Sequence, residues 1–235
     1  MRIVTWNCCR GDFTAKAALL ESMRADVVVF QECAKPATES ADTLWFGDNP
    51  KIGVAIRARP SYQLKALPAL VDAPKYVIPI AVTGPVEFTL FAVWSIGKQA
   101  YPYVEAVCKA VTLYRDLIRS GPTVLAGDFN SNAIWDKDHP ADLNHSALVS
   151  QLEELGLASA YHHALGEKHG QETKPSYYHY RKQHRPFHID YCFVPRAWAE
   201  QIRAVEIGGF DEWSKHSDHR PLLVEIDDSV SPAAS

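Results

Sequence analysis

Val124-Leu125-Ala126-Gly127-Asp128-Phe129-Asn130-Ser131-Asn132 is the stretch on which the fold turns. After Pro122, a short run of β-branched and aliphatic residues predicts a buried strand that stops at Gly127. Beyond it, polar heads follow at alternating positions. Buried strands usually finish in Gly, Ser or a single Asn, so a carboxylate followed by two carboxamides suits a place where something charged is held. The alternative is an ordinary Asx-rich turn. Other strands of the chain that end in the same way favour the first reading.

Arg2 to Cys8 alternates apolar and polar residues, a strand that delivers Asn7. Arg10-Gly11-Asp12 makes a turn, with Asp12 as N-cap of a helix carrying Phe13, Ala17, Leu20 and Met23. Asp26 to Phe30 is a nearly continuous Val run, the pattern of a fully buried strand, and it delivers Gln31 and Glu32. Short strands follow at Thr43 to Phe46, Gly53 to Ala58, Tyr76 to Val82 and Val86 to Trp94. Their Pro- and Gly-containing turns suit antiparallel pairing in a layered sheet. A loop from Ser95 to Ala100 leads to Tyr103, Val107, Ala110, Val111, Tyr114 and Leu117, one face of a helix that precedes the Asp128 strand.

Asn144 reads as N-cap of a helix carrying Leu148, Leu152 and Leu155, closed by Gly156. Ala160 to His163 reads as a short strand. Lys168 to Arg185 is the most polar segment and interleaves basic residues with aromatics, among them Tyr178 and Arg181. That mixture suits phosphate contact with stacking on a base, or else a solvated loop around a Tyr-rich strand. Phe187 to Val194 alternates, with Asp190 in its interior. Arg203 to Ile207 is a further strand, leading toward Lys215-His216-Ser217-Asp218-His219. The last residues, 231–235, read as a short disordered tail after one domain spanning 1–230.

Composition limits the function classes. A chain of 235 residues with 47% hydrophobic residues suffices for one large core. The five cysteines include no C-x-x-C pair and sit mostly in apolar runs, which fits a reducing, cytoplasmic setting. Met1-Arg2-Ile3 already reads as structure, so no signal peptide is expected, and no apolar run approaches the roughly 18 residues of a membrane span. A net charge of −4 argues against coating duplex nucleic acid by bulk charge, though not against a local basic patch.

Asn7, Glu32, Asp128, Asn130, Asp190, Asp218 and His219 all fall at or beside the ends of hydrophobic strands. In a layered sheet such ends can converge at one edge, where carboxylates repel one another unless a cation intervenes. An oxygen-rich set without a Cys/His cluster suits Mg²⁺ or Mn²⁺ rather than structural zinc. Such an ion polarises a phosphoryl oxygen and neutralises leaving-group charge. A His219–Asp190 pair fits proton handling or phosphate stabilisation.

The ordered set Thr-Trp-Asn7, Phe-Gln-Glu32, Gly-Asp128-Phe-Asn130, Ile-Asp190-Tyr and Ser-Asp218-His219 resembles the endonuclease/exonuclease/phosphatase superfamily. That superfamily includes deoxyribonuclease I, exonuclease III-type abasic-site endonucleases, sphingomyelinases and inositol polyphosphate 5-phosphatases. The resemblance covers nearly the whole chain. It implies a four-layered α/β sandwich, two packed mixed β-sheets flanked by helices. It also implies Glu32 as main metal ligand with Asn7 and Asp218 nearby, and one or two Mg²⁺ ions. Asp128 would activate the attacking water or assist the leaving group, Asn130 would bind phosphate, and Asp190 would orient His219.

Trp94 stands where abasic-site endonucleases place a Tyr, and it reads first as core and second as a substrate contact. His188 stands where the exonuclease III branch has Arg, and the chain is shorter than that branch. With Asn132, Tyr178 and Arg181, these two complete the candidate substrate contacts. The expected activity is Mg²⁺-dependent hydrolysis of a phosphodiester, foremost as a nuclease on DNA or RNA. The alternatives are a phosphatase or phosphodiesterase on a small or lipid-linked phosphate, and a non-catalytic phosphate-binding member. Oligomeric state stays open.

Overall fold

The alternation at Arg2 to Cys8 forms strand β1 (Arg2–Asn7), and the Asp12 carboxylate caps helix α1 (Phe13–Leu19) by accepting the Ala15 N–H at 2.9 Å. Strand β2 (Val27–Cys33) returns parallel to β1, with its Val residues buried. Then come β3 (Thr43–Asn49), β4 (Ile52–Ala58), β5 (Gln63–Ala66), β6 (Val77–Thr83) and β7 (Phe88–Trp94). Helices α2 (Val104–Leu113) and α3 (Arg115–Arg119) lead to β8 (Thr123–Asp128), which lies parallel to β7. The remainder is α4 (His145–Glu154), β9 (Leu157–Ser159), α5 (Ala160–Leu165), β10 (Tyr177–Tyr178), β11 (Pro186–Phe187), β12 (Asp190–Pro195), α6 (Arg196–Ala199), β13 (Ile202–Ile207), α7 (Phe210–Trp213) and β14 (Leu222–Ile226). The computed structural model describes residues 1–38, 40–97 and 100–227.

Two six-stranded mixed sheets result, in the orders β13-β14-β1-β2-β4-β3 and β5-β6-β7-β8-β12-β9, with β10 and β11 as a separate two-stranded ribbon. Each large sheet contains one parallel pair joined through helix, and its other pairs are antiparallel. Parallel strands end on the same side, so β1 and β2 bring Asn7 and Glu32 together while β7 and β8 bring Trp94 and Asp128 together.

Three apolar layers hold this arrangement. Ile3, Val29, Ile56, Ile80, Leu90, Val124 and Val224 lie between the sheets. Val107, Val111, Leu148 and Leu152 of α2 and α4 cover the outer face of the second sheet over Phe91, Leu125 and Phe193. Phe13, Ala17 and Trp213 cover the first over Val4, Trp6 and Phe30. Helix, sheet, sheet, helix is the four-layered sandwich expected from the motif order.

Gly127 is set by a close approach. At its place beside Val93 in the parallel pair, a Cβ would lie 1.8 Å from the Val93 carbonyl oxygen. Any side chain would force β7 and β8 apart immediately before Asp128.

Several local expectations are corrected. The apolar face from Tyr103 to Leu117 is two short helices that meet at Tyr114, where the backbone leaves helical values at φ −92° and ψ 15°. The Tyr114 ring is buried against Phe91, and its hydroxyl accepts the Leu70 N–H at 3.1 Å, which fixes the break. Ala160 to His163 is helix rather than strand: Ser159 stands at its N-cap position and Gly166, at φ 68°, ends it. Phe187 to Val194 is not continuous, because the Ser176 hydroxyl accepts both the Ile189 and Asp190 N–H groups at 3.0 Å. Asp190 therefore begins a strand instead of lying inside one. Strand β5 escaped the pattern because its four residues are mostly exposed. Residues 231–235, expected as a tail, lie outside the described residues.

Candidate active site

The site forms where strands from both sheets end. Asp190 is paired across from Asp128 in the register of β12 and β8, and both carboxylates are fully buried. From the other sheet, the Asn7 amide donates to Asp128 Oδ2 at 2.9 Å and to Glu32 Oε1 at 3.2 Å. One amide thus ties the two sheets together at their carboxylates. The Ser217 hydroxyl donates to the Asn7 carbonyl at 2.7 Å and accepts the His219 N–H at 2.9 Å, so the loop before β14 is held onto the end of β1.

Glu32 owes its position to an irregularity. The β2–β4 register slips between Phe30 and Cys33, and Glu32 has φ 57°, a value that costs a non-glycine residue about 1–3 kcal/mol. The bulge takes its half-buried side chain out of the strand's alternation. Asp218, half-buried, lies next to Ser217. Burial first, then the carboxylate of Asp218 and, least of these, that of Glu32 push the Cys9 thiol up.

His219 sits between two buried acids. Its Nδ1 is 2.9 and 3.2 Å from the Asp190 carboxylate oxygens, and its Nε2 is 3.9 Å from Asp128 Oδ2. Burial opposes the charged imidazole, but Asp190 and Asp128 outweigh it and hold His219 protonated well above the ordinary histidine range. Burial pushes the Asp128 carboxyl up, offset by His219, by Asn7 and by the Asn130 backbone N–H. The Tyr177 ring packs 4.6 Å from the His219 ring, and burial with nearby Asp218 and Asp128 pushes its phenol to about 12, so it remains a donor.

Asn130, at φ 45°, donates its backbone N–H to Asp128 Oδ1 at 2.9 Å and its amide to Asp128 Oδ2 at 3.0 Å and the Ser95 carbonyl at 2.9 Å. Asp128 Oδ2 therefore accepts two amide bonds, whereas Oδ1 accepts one and keeps a lone pair. Both amide hydrogens of Asn130 are engaged, one on Asp128 Oδ2 and one on the Ser95 carbonyl. A phosphate contact from this residue requires it to give one of them up.

Two donor groups could hold a cation here. Asp128, Asp190 and His219 place ligating atoms within 4.8 Å of one another, but a protonated imidazole has no lone pair to give. Glu32, Asn7 and Asp218 offer oxygen alone, and Asn7 Oδ1 retains a lone pair beside the Cys9 N–H that it accepts at 3.0 Å. Those three fit a hard divalent ion.

The sequence model of the endonuclease/exonuclease/phosphatase family matches residues 4–219. The chain belongs to this family. Its members are phosphoester hydrolases, and the chain is an enzyme of that class. Among solved structures, a 3′-5′ exonuclease from Neisseria meningitidis superposes with TM-score 0.70 at 24% identity, covering 97% of this chain and 100% of that one. The endonuclease domain of TRAS1, a telomere-specific non-LTR retrotransposon, gives 0.68 at 18% identity, with 97% and 99% coverage. An AP endonuclease from Archaeoglobus fulgidus gives 0.68 at 17%, again with 97% and 99% coverage. These three share the fold. No curated protein sequence matches the chain.

Of the residues singled out in this family member, Asn7, Glu32, Asp128, Asn130, Asp190 and His219 are joined by the contacts above, with Asp218 alongside. Three expected substrate contacts face elsewhere. Trp94 is buried in the inter-sheet core against Tyr76, with ring centroids 4.8 Å apart. Asn132 accepts the Ile134 N–H and donates to Glu172 and the His188 carbonyl, which makes it a buried brace. His188 is buried, its Nδ1 bound to the Lys174 carbonyl at 2.9 Å. Tyr178 packs half-buried between Arg220 and Phe210, while Arg181 is exposed with its guanidinium 3.7 Å from Cys9 Sγ.

Ser176 and Ser217 position Asp190 and His219, a role the sequence did not assign to either, although Ser217 stands in the Ser-Asp218-His219 motif. Only the place of Ser217 directly before Asp218-His219 could have pointed to it. Beside Asn130 opens a cleft of about 450 Å³, lined by Tyr103, Trp135, Tyr177, His179, Arg185 and Phe187 among others. No helix among the described residues is long and apolar enough to cross a membrane.

Proposed function

We propose that this enzyme is a divalent-cation-dependent nuclease that hydrolyses a phosphodiester of DNA or RNA. The observation that carries the reading is the cleft beside Asn130 and Tyr177. It combines flat aromatic groups, Trp135 and Phe187 at 5.1 Å from each other, with the basic Arg185. Bases stack on such surfaces and phosphates are drawn to such charge, so a strand in this cleft would pass a phosphate over Asp128 and His219. The Neisseria and Archaeoglobus neighbours, described as an exonuclease and an AP endonuclease, support the same substrate class.

Glu32, Asn7 and Asp218 would hold the cation, Mg²⁺ by the hardness of the donor set or Mn²⁺ in its place. When bound, it supplies polarisation of the phosphoryl oxygen and neutralises charge on the leaving group. Asp128, through the lone pair left on Oδ1, takes the proton of the attacking water or relays one toward the leaving oxygen. Asp190 fixes the His219 ring, and the protonated His219 faces the charge that builds on the phosphate. Asn7 and Asn130 keep Asp128 oriented through the reaction.

Removal of a terminal 3′ phosphate from DNA is the second reading. It is favoured by a further structure of the Neisseria protein, described as a 3′ phosphatase bound to a product DNA hairpin, with TM-score 0.69 and 22% identity. Purified enzyme should be assayed with Mg²⁺ or EDTA on plasmid, abasic oligonucleotide, single-stranded DNA, RNA, a 3′-phosphorylated hairpin and bis-p-nitrophenyl phosphate. Cleavage within a polynucleotide only when Mg²⁺ is present supports the nuclease. Release of phosphate from the hairpin alone selects the second reading. Turnover of the small ester alone refutes both.

A further inference from the structure

A second cluster of ligating side chains lies outside the hydrolytic site. One ligating atom each from His162 of α5 and from His169 and Glu172 of the following loop lie within 4.8 Å of one another. The His162 and His169 rings stack with centroids 3.5 Å apart and planes 19° apart. Glu172 Oε1 is 3.0 Å from His162 Nε2 and accepts the Gly170 N–H at 3.0 Å, while Oε2 accepts the Asn132 amide at 3.0 Å. We propose that His162, His169 and Glu172 form a site for a Zn²⁺-class transition metal that pins the loop after α5 onto the Asn132 turn.

The outer contacts decide which ring nitrogens can present a lone pair. His169 Nδ1 is 2.9 Å from His145 Nε2, and His145 Nδ1 is 3.1 Å from the Ser131 hydroxyl. A neutral ring carries one N–H, so one consistent tautomer chain runs from His169 Nδ1–H to His145 Nε2 and from His145 Nδ1–H to Ser131. In that chain His169 Nε2 presents a lone pair. A supporting hydrogen bond on the far nitrogen is the usual arrangement for a ligating histidine. His162 has the same provision: its Nδ1 lies 2.7 Å from the Ser159 hydroxyl, so a shift of tautomer frees Nε2.

A further observation points to a cation. His188 donates Nδ1–H to the Lys174 carbonyl, and its Nε2 is buried with no hydrogen-bond partner, its ring 5.9 Å from that of His162. A buried acceptor without a donor costs about 1–3 kcal/mol, and an adjoining ion would relieve it. Hydrogen bonds from His162, Asn132 and Gly170 fix the Glu172 carboxylate against the two rings. Two imidazole nitrogens and one carboxylate oxygen suit Zn²⁺ with a fourth position for water, and they do not suit the all-oxygen shell of Mg²⁺.

Metal-free full-length protein titrated calorimetrically with ZnCl₂ in millimolar Mg²⁺ tests the proposal. One equivalent of Zn²⁺ should bind, raise the melting temperature and survive in Glu32→Ala. His169→Ala and Glu172→Gln should each weaken binding by roughly 10- to 100-fold or more, with circular dichroism verifying that each variant is folded. Should His169→Ala not fold, Glu172→Gln together with the visible spectrum of Co²⁺-loaded wild type decides, tetrahedral nitrogen ligation giving intense bands. Absence of Zn²⁺ binding, equal affinity in wild type and the folded variants, or loss of binding in Glu32→Ala would each overturn it. Since none of these readouts is turnover, failure here leaves the nuclease proposal untouched.

Discussion

Replacing Asp190 by Asn tests the pairing with His219 while keeping shape. The carboxylate is fully buried, lies 2.9 and 3.2 Å from His219 Nδ1, and has its backbone fixed by the Ser176 hydroxyl. An Asn oxygen can still accept the Nδ1–H, so geometry survives and charge is lost. A hydrogen bond between charged groups contributes about 1.5–3 kcal/mol against about 1 for a neutral one. The imidazolium also loses its nearer carboxylate, leaving Asp128 at 3.9 Å as its remaining acid partner among the contacts described. Together these place the loss of transition-state stabilisation at about 2–4 kcal/mol, roughly 30- to 1000-fold in rate. The assay is steady-state hydrolysis of a fluorophore-labelled oligonucleotide in Mg²⁺, with thermal melts to show that the variant is folded. The expected result is a fall in kcat with KM nearly unchanged. A kcat within about threefold of wild type, or a change confined to KM, would refute a role for Asp190 in supporting His219.

Gly127→Ala puts a Cβ 1.8 Å from the Val93 carbonyl, and urea unfolding should show a loss of about 3 kcal/mol or more, or no folded protein; a wild-type midpoint would contradict the close approach. Trp135→Ala and Arg185→Ala should raise KM for an oligonucleotide by about 5- to 100-fold and leave a small phosphodiester unaffected, and equal effects on both would remove the cleft as a strand-binding surface. His145 is held neutral, moved from 6.5 to about 4, so between those values the unfolded chain binds the extra proton. Stability from this group is complete above pH 6.5 and falls by about 3 kcal/mol as pH drops toward 4. In metal-free buffer, urea midpoints should decline less steeply on acidification in His145→Gln than in wild type, and equal slopes would contradict a neutral buried ring.

Much of the fold was legible because it rests on periodicity and caps. The buried Val run of β2, Asp12 and Asn144 as caps and Gly156 as a helix stop are all local signals that the structure repeats, and β1 forms as a strand although it is buried on both faces instead of alternating. The convergence of Asn7, Glu32 and Asp128 was legible as a list of strand endings. Its geometry was not, since the bulge that turns Glu32 depends on pairing with β4. Asn132 and His188 were misplaced for a related reason. In an irregular segment no period says which way a side chain points, and these two turn inward to Glu172 and Lys174. His169 and Glu172 sit in the most polar stretch of the chain, which reads as solvated or phosphate-facing, yet they close over α5. The nearest sequence hint was the density of histidines in that third of the chain, which composition alone cannot resolve into a cluster.

The claim on which the rest depends is that Glu32, Asn7 and Asp218 share a hard cation. Calorimetric titration of Mg²⁺ into metal-free wild type and Glu32→Ala measures it without reference to any substrate. Binding in the wild type, weakened by about tenfold or more in the variant, is the predicted result. Equal affinity in the two proteins would contradict it.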